Sequence, residues 1–194
     1  MNVADATLVQ KTLAGDLEGF GELHRRYYQK VVHVVFGIVK DRLQAEDMAQ
    51  DAYMSALKEL PRLNAPDRFY PWLCRIAVNR AIEDVRKKAR RSRYSADWSE
   101  KVEQKAASRE PSVLEEMVKG ERAESVKAAL HHLPEGQRAA VVLRFFDGLP
   151  MKSIAEILDC GEVTARTQVF RGLRRLGVLL KQMDPGRLQS EDSP

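Results

Sequence analysis

The sequence predicts an all-α protein built as two small helical domains joined by a flexible linker. Three observations lead there. Apolar residues recur at three- and four-residue steps through most of the chain. Leu, Ala, Glu, Lys and Arg are plentiful, Gly and Pro are sparse, and Val and Ile rarely alternate with polar residues, a bias towards helix. One polar, aperiodic segment of mixed charge interrupts the pattern and divides the 194 residues into a domain over 1–92, a linker over 93–112, a second domain over 113–182 and a disordered tail over 183–194.

The elements follow in order. A first helix is expected from about Asp5 to Ala14, ended by Gly15, with Asp16 capping the next by accepting backbone N–H groups. The second helix carries Leu17, Phe20, Leu23, Tyr27, Val31, Val34 and Ile38 as one buried stripe. A turn near Lys40-Asp41-Arg42 leads to a third helix, about Ala45 to Leu60, with two unlike faces. Met48, Ala49, Ala52, Ala56 and Leu60 pack; Asp47, Gln50, Asp51 and Met54 fall on the other side. Pro61 stops this helix because it lacks an N–H and clashes with the preceding turn. The fourth starts near Asp67 and runs to about Arg91, with Phe69, Trp72, Leu73, Ile76 and Ala77 on its apolar side and Arg75, Asn79, Arg86 and Arg90 on a separate stripe. In the second domain a helix covers about Val113 to Leu133, with a break near Gly120. Pro134 opens the first turn of the next, which runs to about Phe146 and is closed by Asp147-Gly148. A short helix, about Met151 to Leu158, the turn Asp159-Cys160-Gly161 and a longer helix to about Gln182 complete the chain.

A formal net charge of only +4 conceals segregation. Arg86 to Arg93 holds six bases and no acid, Val163 to Met183 five bases and no acid, and Asp97 to Glu124 eight acids against five bases. Two basic patches separated by an acidic stretch fit two polyanion contacts, nucleic acid first among them, although each run alone also describes a solvated helix face. Cys74 and Cys160 are isolated, which favours a reducing compartment over a disulfide. The longest apolar stretch, Val31 to Val39, is short and interrupted by His33, so no membrane insertion is expected. The rings of His131 and His132, adjacent on a helix, point apart, and no CxxC, HExxH or glycine-rich phosphate loop occurs. No catalytic residue, metal site, cofactor or small-molecule substrate is expected.

A short helix, a tight turn with Gly and a basic helix make the pattern of a helix-turn-helix. Ala155 is small where the two helices must approach, and Ile154, Leu158, Val169 and Leu173 are candidates for the apolar contacts between them. The second helix opens with Thr164, Arg166, Thr167 and Gln168, able to donate and accept at base edges. Arg171, Arg174, Arg175 and Lys181 suit phosphates. This segment alone equally describes a conventional repressor or activator, which would bind a symmetric site without help, as a dimer.

The first domain separates these readings. AEDMAQDAY (Ala45 to Tyr53) resembles the polymerase-clamp segment of bacterial RNA polymerase sigma factors, and WLCRIAVNRAIEDVRKKARR (Trp72 to Arg91) the promoter-melting helix of their extracytoplasmic-function group. The stretch from Ala129 to Leu176 resembles their C-terminal helix-turn-helix domain. The resemblance implies sigma region 2 in the first domain and region 4 in the second. It implies a subunit that binds core RNA polymerase at its clamp and flap, recognises the −35 and −10 promoter elements and promotes melting. Asp47, Gln50 and Asp51 match the polymerase-binding positions. Asn79 matches the position that captures a flipped base of the −10 element, with Arg75, Arg80, Arg86 and Arg90 tracking the backbone. Arg166, Thr167, Phe170 and Arg171 match positions that read the −35 element, beside Thr164, Gln168, Arg174 and Arg175; Phe170 alternatively packs inside the domain. Val163, Ala165, Gln168 and Pro150 depart from the family pattern, which bears on the promoter sequence more than on the fold. The implied partners are core RNA polymerase, double-stranded and melted promoter DNA and an anti-sigma factor. The implied location is the cytoplasm, on the nucleoid when active.

Overall fold

The computed structural model of the chain describes residues 3–95 and 121–183, and all regular structure among them is helical. Of the expected linker over 93–112, residues 93–95 continue the fourth helix; the rest of it, the stretch before Glu121 and the tail from Asp184 lie outside the described residues.

In the N-terminal half, α1 (Asp5–Leu13), α2 (Leu17–Val39), α3 (Arg42–Glu59) and α4 (Phe69–Ser95) pack together, with short 3₁₀ turns at Leu60–Arg62 and Pro66–Arg68 between α3 and α4. The boundaries follow local chemistry. Gly15 takes a φ of +96° after α1, and the Asp16 carboxylate accepts the Glu18 N–H at 3.0 Å. Asp41 accepts the Gln44 N–H at 2.9 Å and caps α3 the same way. Helix α1 is tied down by Asp5, whose carboxylate receives the Arg26 guanidinium and, at 2.6 Å, the Tyr27 hydroxyl. Burial and the adjacent Asp5 carboxylate push the Tyr27 hydroxyl up to about 12.

The expected α2 stripe is present from Phe20 onward, but Leu17 is 65% exposed, while Gly19 in the same turn is buried against α1. Val32 and Val35, outside the stripe, are fully buried as well, so the end of α2 is enclosed over a wider arc. Helix α3 buries Ala45, Ala49, Ala52, Tyr53 and Ala56. Helix α4 buries Phe69, Leu73 and Ala77, with Trp72 and Ile76 packed at the edge of the same core.

In the C-terminal half, α5 (Glu121–His131), α6 (Glu135–Val141), α7 (Met151–Ile157) and α8 (Glu162–Met183) form the second unit, with a π-helical turn over Val142–Phe146 after α6. Pro134 stands one residue before α6 in extended backbone rather than inside its first turn. Helix α6 is also shorter than expected, because its last turn widens into the π geometry that directs the Asp147 N–H to the Val142 carbonyl at 3.2 Å.

The two units share one apolar cluster. Val142, Leu143, Ile154 and Ile157 of the second are continuous with Val31, Val35, Ile38, Phe69 and Leu73 of the first. Helix α4 touches α6 and α7, and α2 touches α5, α6 and the π turn. Gly37 marks the closest approach: a Cβ there would stand 3.0 Å from Val142 Cγ2. The enclosure of the end of α2 thus reflects contact with the second unit. No helix among the described residues is long and apolar enough to cross a membrane.

Candidate nucleic-acid interface

The helix-turn-helix is formed by α7 and α8. The turn does not use its glycine for the left-handed residue; Asp159 takes it, at a φ of 51°. The Cys160 N–H then returns to the Ala155 carbonyl at 2.9 Å. Pro150 caps α7 with no side-chain hydrogen bond, as its lack of an acceptor requires. Ile154, Ala155 and Val169 fill the contact as expected, but Leu173 does not: it is 39% exposed, and Gly172 takes the buried position beside it. Helical rotation decides this. Ala165, Val169 and Gly172 lie at steps of four and three, which turns residue 173 outward.

The outward side of α8 carries Thr164, Arg166, Phe170, Arg171, Arg174 and Arg175, all exposed. Phe170 is 66% exposed, so the alternative in which it fills the domain is excluded. Arg166 is steadied by Glu162 one turn back at 2.6 Å. Thr167 and Gln168 are only half-exposed: the Thr167 hydroxyl donates to the Val163 carbonyl at 2.8 Å, and Gln168 lies over Gly136 of α6.

On α4, the residues Arg75, Asn79, Arg86 and Arg90 are exposed along one face, as their spacing predicts. Arg80 is turned towards α3, donating to Ser55 Oγ at 2.7 Å and pairing with Asp51 at 3.5 Å. Lys87 and Lys88 pair one turn back with Glu83 and Asp84 at 2.7 and 3.2 Å. On α3, Asp47, Gln50 and Asp51 are exposed between two large exposed apolar side chains, Leu43 and Met54. Leu43 was not singled out in the sequence, although its step of four to Asp47 places it on the same face.

Two further clusters have no local sequence signal. Tyr70 donates to Asp147 Oδ1 at 2.7 Å, stacks on Tyr27 at 4.6 Å between centroids, and has the Lys30 ammonium 5.7 Å from its ring centre. Burial raises the Tyr70 hydroxyl and the adjacent, fully buried Cys74 thiol well above their ordinary ranges, and raises Asp147 as well. The second cluster is His131, Arg138 and Lys40. Arg138 is buried, its Nη1 donating to the His131 carbonyl at 3.4 Å. Burial first, then the charges of Lys40 and Arg138, lower His131 to about 3. Both cysteines are free thiols, and among the described residues no cluster of three or more His, Cys, Asp or Glu is placed to hold a metal.

Fold and surface together define a two-domain helical protein with a helix-turn-helix in one domain and a basic, amide-bearing helix beside an acidic one in the other. The sigma-70 region 2 family matches residues 23–91, and the sigma-70 region 4 family matches residues 123–176. The chain is 31% identical to the RNA polymerase sigma-H factor of Pseudomonas aeruginosa over 183 residues, covering 92% of this chain and 95% of that one. It is 35% identical to the ECF RNA polymerase sigma-E factor of Escherichia coli K12 over 173 residues, covering 87% and 90%. Among solved structures it resembles the sigma factor RpoE from Bartonella quintana, bound there to the anti-sigma factor NepR (TM-score 0.65, 23% identity, 84% and 96% coverage). It also resembles CnrH in complex with the cytosolic domain of CnrY (TM-score 0.63, 22% identity, 93% and 99% coverage). The chain belongs to the sigma-70 family of RNA polymerase sigma factors, in its extracytoplasmic-function group. It is a promoter-recognition subunit of transcription initiation and not an enzyme.

Proposed function

We propose that the work of this sigma factor divides among three faces. Asp47, Gln50 and Asp51 of α3 meet the basic clamp of core polymerase, with Leu43 and Met54 adding apolar contact. Asn79 of α4 captures a base extruded from the −10 element, where an amide supplies both donors and an acceptor to a base edge. Arg75, Arg86 and Arg90 follow the strand backbone, and Arg80 joins them on leaving Asp51. In the second domain, which docks on the flap, Arg166, Phe170 and Arg171 read the −35 element. Thr164, Thr167 and Gln168 supply neighbouring polar contacts, and Arg174 and Arg175 hold phosphates. The domains span 1–92 and 113–182, and the linker lets both bind at once, so neither site need bind tightly alone.

The observation that carries this reading is the exposed α4 stripe of Arg75, Asn79, Arg86 and Arg90 lying beside the exposed acidic face of α3 in one domain. A free-standing repressor or activator has no use for that pair. The likeness to a sigma factor solved in complex with an anti-sigma factor supports such a partner here. The place of action is the cytoplasm, on the nucleoid when active. No cofactor takes part; binding energy drives opening.

The test is run-off transcription with purified bacterial core polymerase on a fragmented genomic library from the source organism. Discrete transcripts should require this protein. Asn79→Ala should impair opening and leave polymerase binding intact, whereas Asp47→Ala with Asp51→Ala should weaken polymerase binding first. Normal transcription by both variants would refute the residue assignments.

A further inference from the structure

The basic cluster of Arg138, His131 and Lys40 lies at the seam between the two domains and serves none of the three faces. Arg138 of α6 is only 4% exposed, and its Nε has no hydrogen-bond partner. Among the described residues its side chain makes one hydrogen bond, from Nη1 to the His131 carbonyl at 3.4 Å, which is long. A guanidinium carries five N–H donors, and a buried charge is costly unless it is paired. The end of α5, where His131 stands, offers it only the partial negative charge of a helix C-terminus. Glu135, the carboxylate whose charge reaches Arg138, is committed to Arg86 at 2.8 Å. The His131 ring is half-buried, and its buried Nδ1 has no partner either. Lys40 completes the cluster from the first domain. It follows Gly37 by three residues and Arg138 precedes Val142 by four, so both stand about one helical turn from the Gly37–Val142 contact. Lys40 is exposed, and among the described residues its ammonium has no ion pair. Burial and then the charge of Arg138 lower the Lys40 ammonium below its ordinary range.

We propose that Arg138, His131 and Lys40 form a site for one small oxyanion of the phosphate type, with Arg138 at its floor and Lys40 at its solvent side. A phosphate group answers what the cluster lacks. Two of its oxygens can accept from the edge of the guanidinium that carries Nε, in the paired arrangement that arginine makes with phosphates. A third accepts from the Lys40 ammonium, and His131 Nδ1–H is a further donor. Depth selects a free ion over the carboxylate of a protein partner. Arg138 is buried while Lys40 stands in solvent, so the ligand must pass beside Lys40 with no polypeptide behind it. The anion ties α2 of one domain to α5 and α6 of the other, and its binding stabilises the folded chain by mass action. Inorganic phosphate and the phosphate of a mononucleotide offer the same oxygens.

The probe is sodium phosphate, titrated into the full-length chain in chloride buffer at fixed ionic strength. The readouts are the thermal midpoint and the histidine ring resonances. The wild type should show a saturable rise in midpoint. Bound phosphate should also raise the pH at which the His131 resonance titrates, because a nearby anion favours the charged ring. Lys40→Gln, at an exposed position, should weaken phosphate binding about tenfold, the scale of one charge-assisted hydrogen bond. Arg138→Lys, which keeps the charge and loses the fork, should weaken it as much. Lys58→Gln removes the same charge from the exposed end of α3 and should leave the affinity unchanged. Equal stabilisation of the wild type, Lys40→Gln and Lys58→Gln overturns the site, as does a His131 titration that phosphate does not move. Should Arg138→Lys fail to fold, Lys40→Gln and the His131 titration decide. Sodium acetate stands in for a partner's carboxylate, and acetate that matches phosphate on both readouts overturns the choice of ligand. Adenosine monophosphate separates the two phosphate sources. Binding about tenfold tighter than phosphate, with the same loss in Lys40→Gln, supports the site with a nucleotide as its ligand. Binding no tighter than phosphate supports it with the free ion.

Discussion

Helix α8 presents its outward face only because α6 lets it come close, and Gly172 is where that closeness is decided. A Cβ at residue 172 would stand 2.7 Å from Val141 Cγ2, 3.2 Å from the Gln137 carbonyl oxygen and 3.3 Å from Leu133 Cδ2. Carbon atoms pack best at about 3.5–4.0 Å. The carbonyl belongs to a helix backbone, and Val141 and Leu133 are buried in a satellite core with Leu130, so nothing there swings aside freely. Gly172→Ala therefore carries an overpacking penalty of about 1–3 kcal/mol. Against it stands the helix propensity gained on replacing glycine by alanine, about 1 kcal/mol. Gly177, on the same helix, is exposed with nothing within 4 Å of its would-be Cβ, so Gly177→Ala keeps the gain without the penalty. The difference between the two variants cancels the propensity and isolates the clash, about 1–3 kcal/mol in favour of Gly177→Ala. Urea titrations of both variants, followed by circular dichroism at 222 nm, measure it. Equal stability of the two would refute the close α6–α8 approach on which the presentation of Phe170 and Arg166 depends.

The remaining predictions are briefer. Asp5→Ala should lower stability by about 1–3 kcal/mol, because it unties α1 and removes the carboxylate that Tyr27 and Arg26 share in a largely buried site, although Arg26 keeps Glu22 at 3.7 Å; the thermal midpoint and limited proteolysis of the first fifteen residues check it. His131 stays neutral in the folded chain down to about pH 3, held there by burial and by Lys40, Arg138 and His132, whereas in the unfolded chain it takes a proton near its ordinary 6.5. The stability that His131 contributes is therefore complete above about pH 6.5 and declines as pH falls towards 3, so His131→Leu should flatten the stability profile between pH 7 and 5.5. Asp147, whose carboxyl is raised, acts in the opposite sense nearer the carboxylate range, which is why the comparison stops at 5.5. Phe170→Ala should leave the unfolding free energy from urea titration within about 0.5 kcal/mol of wild type, since the ring is exposed, while weakening transcription from promoters that depend on the −35 element.

Features that depend on one helix and its own period were legible in the sequence. The α4 stripe is exposed as its spacing requires, the acidic side of α3 faces outward, and Gly15 and Asp16 delimit their helices; α3, expected from about Ala45, begins at Arg42 because Asp41 caps it by accepting the Gln44 N–H. The misjudged positions are those where a partner chosen from elsewhere in the chain decides. Leu17 obeys the period of α2 but stays exposed while Gly19 in the same turn is buried against α1, and Leu173 is displaced from the core by its glycine neighbour. The run from Val31 to Val39 held more information than a one-sided stripe allows. Val31, Val32, Val34, Val35 and Ile38 are all buried, and a helix apolar over so wide an arc needs covering on more than one side. Within the first domain α3 and α4 supply part of that cover; α5, α6 and the π turn supply more, with Val142 against Gly37. Glycine at 37 is costly inside a helix unless another backbone or side chain must come close, so Gly37 and the surplus of valine around it were already the mark of a second domain's docking site.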